Sequence, residues 1–412
     1  MFLYSYALTD ISDFMKRLTT YIILITVMAC SHDNDPADRY IKFLKQDHLS
    51  ALDYLIYQWK THDMVVLCER DHDELTQYQF LIDVFRTSYF IDSVGVVFTE
   101  VGPVNCAKNI EKYLRTNYKS DSLRKKDLIQ LFRDNFWPAH EKYNYFYLLY
   151  ETNKLNCTLP DDKHIIIRPV DEPSLSEVKN KHELIAFEDS CCMIDRDSTM
   201  AMEIINQFDQ LITTGKRKCL VIQNFRHAFS RNMINDKEFD SLLVVNTGAL
   251  LYEKYQNKVS FIMLNNLATT MVKVDSALSH KRMRYESIPI QKGLWDYSFE
   301  KLSIHDMGFD FNSSPFGEDS FDFWSASDNS YRYKDIFNGF IYYLPLDQHI
   351  IATGIPDYLS DGFDKELLSR FDIYNDVEGT SYTDSFLIDL FSFTTHPYKD
   401  INKFRKIILS NN

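Results

Sequence analysis

The chain has 412 residues, 59 acidic and 45 basic side chains, a formal net charge of −14 and 45% apolar residues. Its length allows one large domain or two modest ones, and the apolar share supports a sizeable core and excludes global disorder. An acidic chain with no concentrated basic face argues against nucleic acid as a partner and against charge-driven binding to anionic lipid head groups.

Met15 precedes Lys16-Arg17 and an apolar stretch from Leu18 to Ala29, closed by Val27-Met28-Ala29-Cys30. A basic start, a short apolar core and a small residue before the cleavage point predict a leader and signal peptide over 1–29. A cysteine next in line predicts lipid attachment at Cys30. The apolar core is too short to span a bilayer, which takes about 20 residues, so membrane association is expected through the lipid alone. The alternative is an ordinary apolar helix opening a soluble domain. Residues 30–39 read as an acidic tether beginning Ser31-His32-Asp33-Asn34-Asp35.

Apolar residues from Tyr40 to Trp59 recur at helical spacing. Met64–Cys68 has the length and β-branched content of a buried strand. A helix is predicted over 75–90 and a strand over 94–99, which together make a β-α-β unit with a parallel pair. Helices follow over 105–118 and, rich in aromatics, over 126–150. His164–Arg168 reads as a strand ending before Pro169. A helix spans 197–212, with Gly215 as its stop. Strands are predicted at 219–223, 242–245 and 259–264. This alternation predicts a layered α/β core domain over 40–280, with a mostly parallel sheet flanked by helices. Residues 281–412 read as an aromatic-rich extension packing on or covering the core. Within it, 296–345 is a candidate sheet-edge cover or lid, and 356–412 is helical in places. Cys68 and Cys219 sit in predicted strands as small core residues. The chain has no C-x-x-C pair.

Three of the strands end in polar clusters: Glu69 to His72, Thr99-Glu100, and Asn224 to His227. In an open parallel sheet, side chains at carboxyl ends converge on one crevice. If these strands are neighbours, Glu69, His72, Glu100 and His227 share it. A carboxylate beside an imidazole fixes its tautomer and raises its basicity, so the set suits acid–base hydrolysis. It suits a metal equally, with His72, His227 and Glu100 as candidate ligands. Arg196 and Asp197 open a predicted helix, where Asp197 reads as a helix cap or, with Arg196, as a substrate-binding pair. There is no H-E-x-x-H helix, no G-x-S-x-G elbow and no Gly-rich phosphate loop.

Cys68-Glu-Arg-Asp-His72, Phe98-Thr-Glu100, Arg196-Asp-Ser-Thr-Met-Ala201 and Asn224-Phe-Arg-His227 together resemble the erythromycin esterase-like/ChaN-like superfamily, which includes the TraB/Tiki proteins. Its members carry Gly-Glu-x-x-His after one strand, Glu after another, Arg before a Met-Ala helix, and Gly-x-x-His after a later strand. The acidic tether is similar to that of surface lipoproteins in Bacteroidetes-type bacteria, which implies the cell envelope and an outer-membrane anchor. The resemblance implies a hydrolase acting on a small molecule, with His72 as general base, Glu69 orienting it and Arg196 positioning the substrate. Other branches imply a metalloprotease or a haem-binding lipoprotein, so the cofactor expected is none, a divalent metal or haem. Cys68 and Asn224 stand where the superfamily has glycine. Loss of those glycines fits a degenerate binding protein as well.

Overall fold

The computed structural model of the protein describes residues 35–135, 143–175, 178–191, 195–213, 215, 217–234, 243–273, 283–324, 331–379 and 382–411. The predicted signal peptide, Cys30 and the first half of the tether lie outside these residues. Among the described residues no helix is long and apolar enough to cross a membrane.

Local chemistry sets the element boundaries. The helix expected over 40–59 is two, α1 (Asp38–Leu44) and α2 (Ala51–Thr61). Ser50 is extended and its hydroxyl accepts the Asp53 N–H at 3.1 Å, so a new helix starts there. β1 (Met64–Glu69) is buried at every residue. The Glu74 carboxylate caps α3 (Leu75–Phe85) by accepting the Thr76 and Gln77 N–H groups. A short π turn (Phe90–Val94) and left-handed Gly95 then lead into β2 (Val96–Pro103). Helices α4 (Ala107–Arg115), α5 (Asp121–Asn135) and α6 (Tyr143–Asn156) follow, the last two in place of the one predicted over 126–150.

β3 (Ile166–Asp171) runs through Pro169, beyond the end expected for it. It pairs with β2 alone. A proline, which lacks the N–H donor of a ladder, is tolerated on such an edge. Next come α7 (Lys181–Cys191), α8 (Arg196–Thr213) and β4 (Cys219–Asn224). Of the strand predicted at 242–245, the described residues form β6 (Leu243–Val244), which pairs with β5 (Met233–Ile234) and not with the main sheet. After α9 (Thr247–Tyr255) and β7 (Val259–Leu264), β8 (Leu267–Lys273) and β9 (Met283–Pro289) form an antiparallel pair. The chain ends with α10 (Leu294–Lys301), β10 (Asp306–Asp310), α11 (Tyr333–Ile336), β11 (Gly339–Tyr343), β12 (Ile350–Thr353), α12 (Phe363–Glu378), α13 (Asp384–Phe391), β13 (Thr394–Pro397) and α14 (Ile401–Leu409).

Seven strands form one sheet in the order β10-β11-β7-β1-β4-β2-β3, parallel except where β10 runs against β11. The sheet therefore continues past residue 280. The described residues of 296–345 take the sheet-edge place expected of them rather than that of a lid. They supply two of its strands and an aromatic layer on one face, where Phe299 stacks on Tyr342 with centroids 3.9 Å apart and Trp295 packs against Phe316 and Phe340. The opposite face buries Trp59, Phe85 and Phe90 from the first part of the chain and Tyr358, Phe371 and Phe391 from the last. Cys68, Cys106, Cys157 and Cys219 are free thiols, and Cys68 and Cys219 are core residues as expected.

Candidate functional site

β1, β4 and β2 are consecutive in the sheet, so their carboxyl ends meet. Glu69 is the last residue of β1 and is buried. The Tyr78 hydroxyl donates to its Oε2 at 2.8 Å, and its Oε1 lies 2.7 Å from Nδ1 of His72. His72 follows in the turn before α3, and Nδ2 of Asn144 donates to its carbonyl at 2.7 Å. Glu100 lies where the pairing of β2 with β3 shifts register between Thr99 and Pro103. Such a bulge re-aims a side chain. Here Glu100 turns to its β4 side, where its Oε2 accepts the Asn224 N–H at 2.8 Å.

Oε1 of Glu100 is the hub of the cluster. It lies 3.1 Å from Nη2 of Arg196, 3.6 Å from Nε2 of His227 and 3.8 Å from Nε2 of His72. The two imidazoles, 155 residues apart in the numbering of the chain, therefore meet on one carboxylate oxygen. His227 stands in the 3-10 turn after β4, with Nδ1 2.7 Å from Oδ1 of Asp197. The Asp197 carboxylate at Nδ1 and the Arg196 donor at Nε2 put the His227 proton on Nδ1, while Glu69 stands as an ion-pair partner beside Nδ1 of His72. The surroundings of the two rings differ. Nη1 of Arg196 donates to Nε2 of His227 at 3.2 Å. His72 has 31% of its side chain exposed against 11% for His227.

Two acids do not sit where the sequence suggested. Asp195, not Asp197, caps α8, accepting the Ser198 N–H at 2.9 Å. Asp197 is fully buried behind His227. Besides the imidazole it accepts Nη1 of Arg226 at 2.6 Å and both the N–H and the hydroxyl of Thr247 at 2.8 Å. It orients an imidazole and is out of reach of a substrate. Asp171, unmarked in the sequence reading, grips Arg196 with bonds of 2.7 and 2.9 Å. Ending β3 at Pro169 hid it. An acid two residues further along, at the same sheet rim, was the available signal.

Charge pairing sets the protonation of the cluster. Burial alone would raise the Glu100 pKa. The positive charge available at His227, His72 and Arg196, with the Asn224 N–H, outweighs burial and holds it below the ordinary value. Asp197 is likewise pushed well down, burial being outweighed by His227, Arg226 and Thr247. Burial works against the Arg196 charge, but Asp171 and Glu100 overcome it and raise its pKa.

The metal set proposed from sequence does not fit this geometry. The Arg196 guanidinium bonds both Glu100 and His227 and occupies the place a cation would take. Among the described residues no group of three His, Cys, Asp or Glu side chains is arranged to hold a metal ion. Neither substituted glycine position requires a left-handed backbone. Cys68 is within β1, and Asn224 has φ −90°, with its Nδ2 donating to the Arg70 carbonyl at 2.5 Å. The positive φ falls one residue later, at Phe225 (φ 39°).

The cluster forms the floor of a cavity of about 640 Å³. Its polar side carries His72, Glu100, Asp171, Glu172, Arg196 and His227. Its other side is apolar and aromatic, built from Phe187 of α7, Phe371 and Tyr374 of α12, Tyr382, and Phe386, Leu387 and Leu390 of α13. The lid place considered for 296–345 is thus taken by side chains of α12, Tyr382 and α13.

No family model and no curated protein matches the chain. Among solved structures, it is similar to one described as a succinoglycan biosynthesis protein, at 10% identity and a TM-score of 0.45, covering 71% of this chain and 90% of that one. It is similar to a mutant erythromycin esterase in its open conformation at 11% identity and a TM-score of 0.43, covering 70% and 92%. A Bacillus cereus protein matches at 11% identity and a TM-score of 0.41, covering 71% and 90%. Likeness at this level bears on neither activity nor substrate.

Proposed function

We propose that the protein is a hydrolase that cleaves an ester or related acyl bond of a small molecule, with His72 as general base. One observation carries this reading: of the two imidazoles that line the cavity, each with a carboxylate at Nδ1, His72 is the more exposed, while Arg196 bonds Nε2 of His227. In this scheme Glu69 keeps the His72 proton on Nδ1. Nε2 takes a proton from a water, the hydroxide adds to the carbonyl carbon, the bond to the leaving oxygen breaks, and that oxygen recovers the proton from Nε2. Asp171, Glu100 and Asp197 hold Arg196 and His227 in place as positioning groups, and the positive charge of Arg196 stands beside the developing oxyanion.

The test is a panel of chromogenic esters with the purified protein and His72→Ala. A general base contributes about 10²- to 10⁴-fold, so the variant is expected to lose at least about 100-fold in kcat. Equal rates in both would overturn the assignment. A haem-binding reading draws on the same aromatic wall beside His72. A haem absorption band in the purified protein that His72→Ala removes would favour it. The charge and apolar pattern of residues 16–30 supports a lipid anchor at Cys30 in the cell envelope, and Cys30→Ala is expected to shift the protein from membrane to soluble fractions.

A further inference from the structure

His72 belongs to the walls of two cavities. Besides the aromatic one, a second cavity of about 710 Å³ opens on the turn that carries His72. Its lining mixes charged side chains with Leu267, Ile351, Tyr398 and Phe404. Asp71, Asp73, Glu286, Lys399, Asp400 and Lys403 contribute both signs of charge, with Ser287 and Thr353 between them. Lys403 lies 3.7 Å from Glu286, and β12, β13 and the start of α14 form the wall opposite His72.

We propose that the two cavities are two halves of one binding site: an apolar group occupies the aromatic chamber, a hydroxylated polar group occupies the charged chamber, and the bond between them lies at His72. The inference rests on the hydrolase reading for the position of the bond, and on the cavities themselves for the shape of the ligand. Alternating acids and amines offer acceptors and donors in turn, which suits a ring of hydroxyls. Acids outnumber the bases on both floors, with Glu100, Asp171 and Glu172 facing Arg196 on one side, and Asp71, Asp73, Glu286 and Asp400 facing Lys399 and Lys403 on the other. That balance disfavours a carboxylate or phosphate, so the two-part ligand carries no negative charge. Hydrolysis then adds one water across the bond and releases an apolar acid on one side and a polyol on the other.

Equilibrium binding tests this without turnover. The probes are octyl glucoside below its micelle concentration, which has both parts; N-phenyl-1-naphthylamine, which is apolar only; and methyl glucoside, which is polar only. Phe386→Ser thins the aromatic wall at a side chain already 49% exposed. Ser287→Trp, at another exposed position, fills the charged chamber. Each variant is expected to weaken octyl glucoside at least about fivefold. Phe386→Ser should also weaken the naphthylamine alone, and Ser287→Trp methyl glucoside alone. Unchanged or tighter octyl glucoside binding by Ser287→Trp, with the fold intact by circular dichroism, overturns the two-chamber site. Loss of the ester activity in no way alters these readings. A protein that binds as described but turns over nothing would fail the hydrolase reading and keep this one.

Discussion

One guanidinium gives two similar histidines different chemistry. His72 and His227 each meet a carboxylate at Nδ1 at 2.7 Å, and only His227 accepts a hydrogen bond from Arg196. Removing the arginine should expose two Nε2 lone pairs beside one carboxylate, which is a common zinc set. Arg196→Ala is therefore expected to bind Zn²⁺ at least tenfold more tightly than the unaltered protein by calorimetry, and no gain would contradict the tautomers assigned here. The participating acids and imidazoles were legible in the sequence because each follows an unbroken apolar strand. Asp171 was not, because Pro169 reads as a stop unless the strand is known to lie at an edge. Asp197 was visible but misassigned, since a helix-start aspartate normally caps and nothing in the sequence shows Asp195 doing so.

Elements with a single period were readable, and those broken by caps or by tertiary pairing were not. β1, β4 and β7 are continuous apolar runs buried on both faces, as parallel strands are, and their predicted limits agree with the structure to within a residue. β10 has a buried centre with exposed acidic ends, Asp306 and Asp310, and its place in the sheet depends on β11, 33 positions later. α2 crosses β10 so closely that a Cβ at Gly308 would stand 2.4 Å from Cβ of Tyr54. Overpacking costs about 1–3 kcal/mol, so Gly308→Ala should lower the unfolding free energy, read from denaturant curves, by about that amount and move the midpoint down. An unchanged midpoint would mean that α2 and β10 are not in direct contact.

At the scale of the whole molecule, stability depends on pH through groups shifted in opposite senses. Glu100 and Asp197 are held below their ordinary values, so the stability they confer is present above the usual carboxylate range and is lost as pH falls through their folded values. Asp296, nearly inaccessible and next to Glu300, is raised by burial first and by that neighbour second, from 3.8 to about 7. Its contribution has the other sign: full below the unfolded value and lost as pH rises through about 7. Asp296→Asn carries no charge to bury. It should stabilise the protein at pH 8 by up to about 4 kcal/mol and hardly change it near pH 4, as read from urea midpoints at the two values. Equal gains at both would contradict a buried, ionising Asp296.

The four free thiols among the described residues have a practical consequence. None ties one strand to another, and burial raises the pKa of Cys68 and Cys219 well above the ordinary thiol value, so both stay protonated and inert. Among the described thiols, then, none supplies a covalent tie that a reductant would remove. Heating with and without dithiothreitol should give melting curves that superimpose, and a drop of several degrees in the reductant would reveal a cross-link elsewhere in the chain.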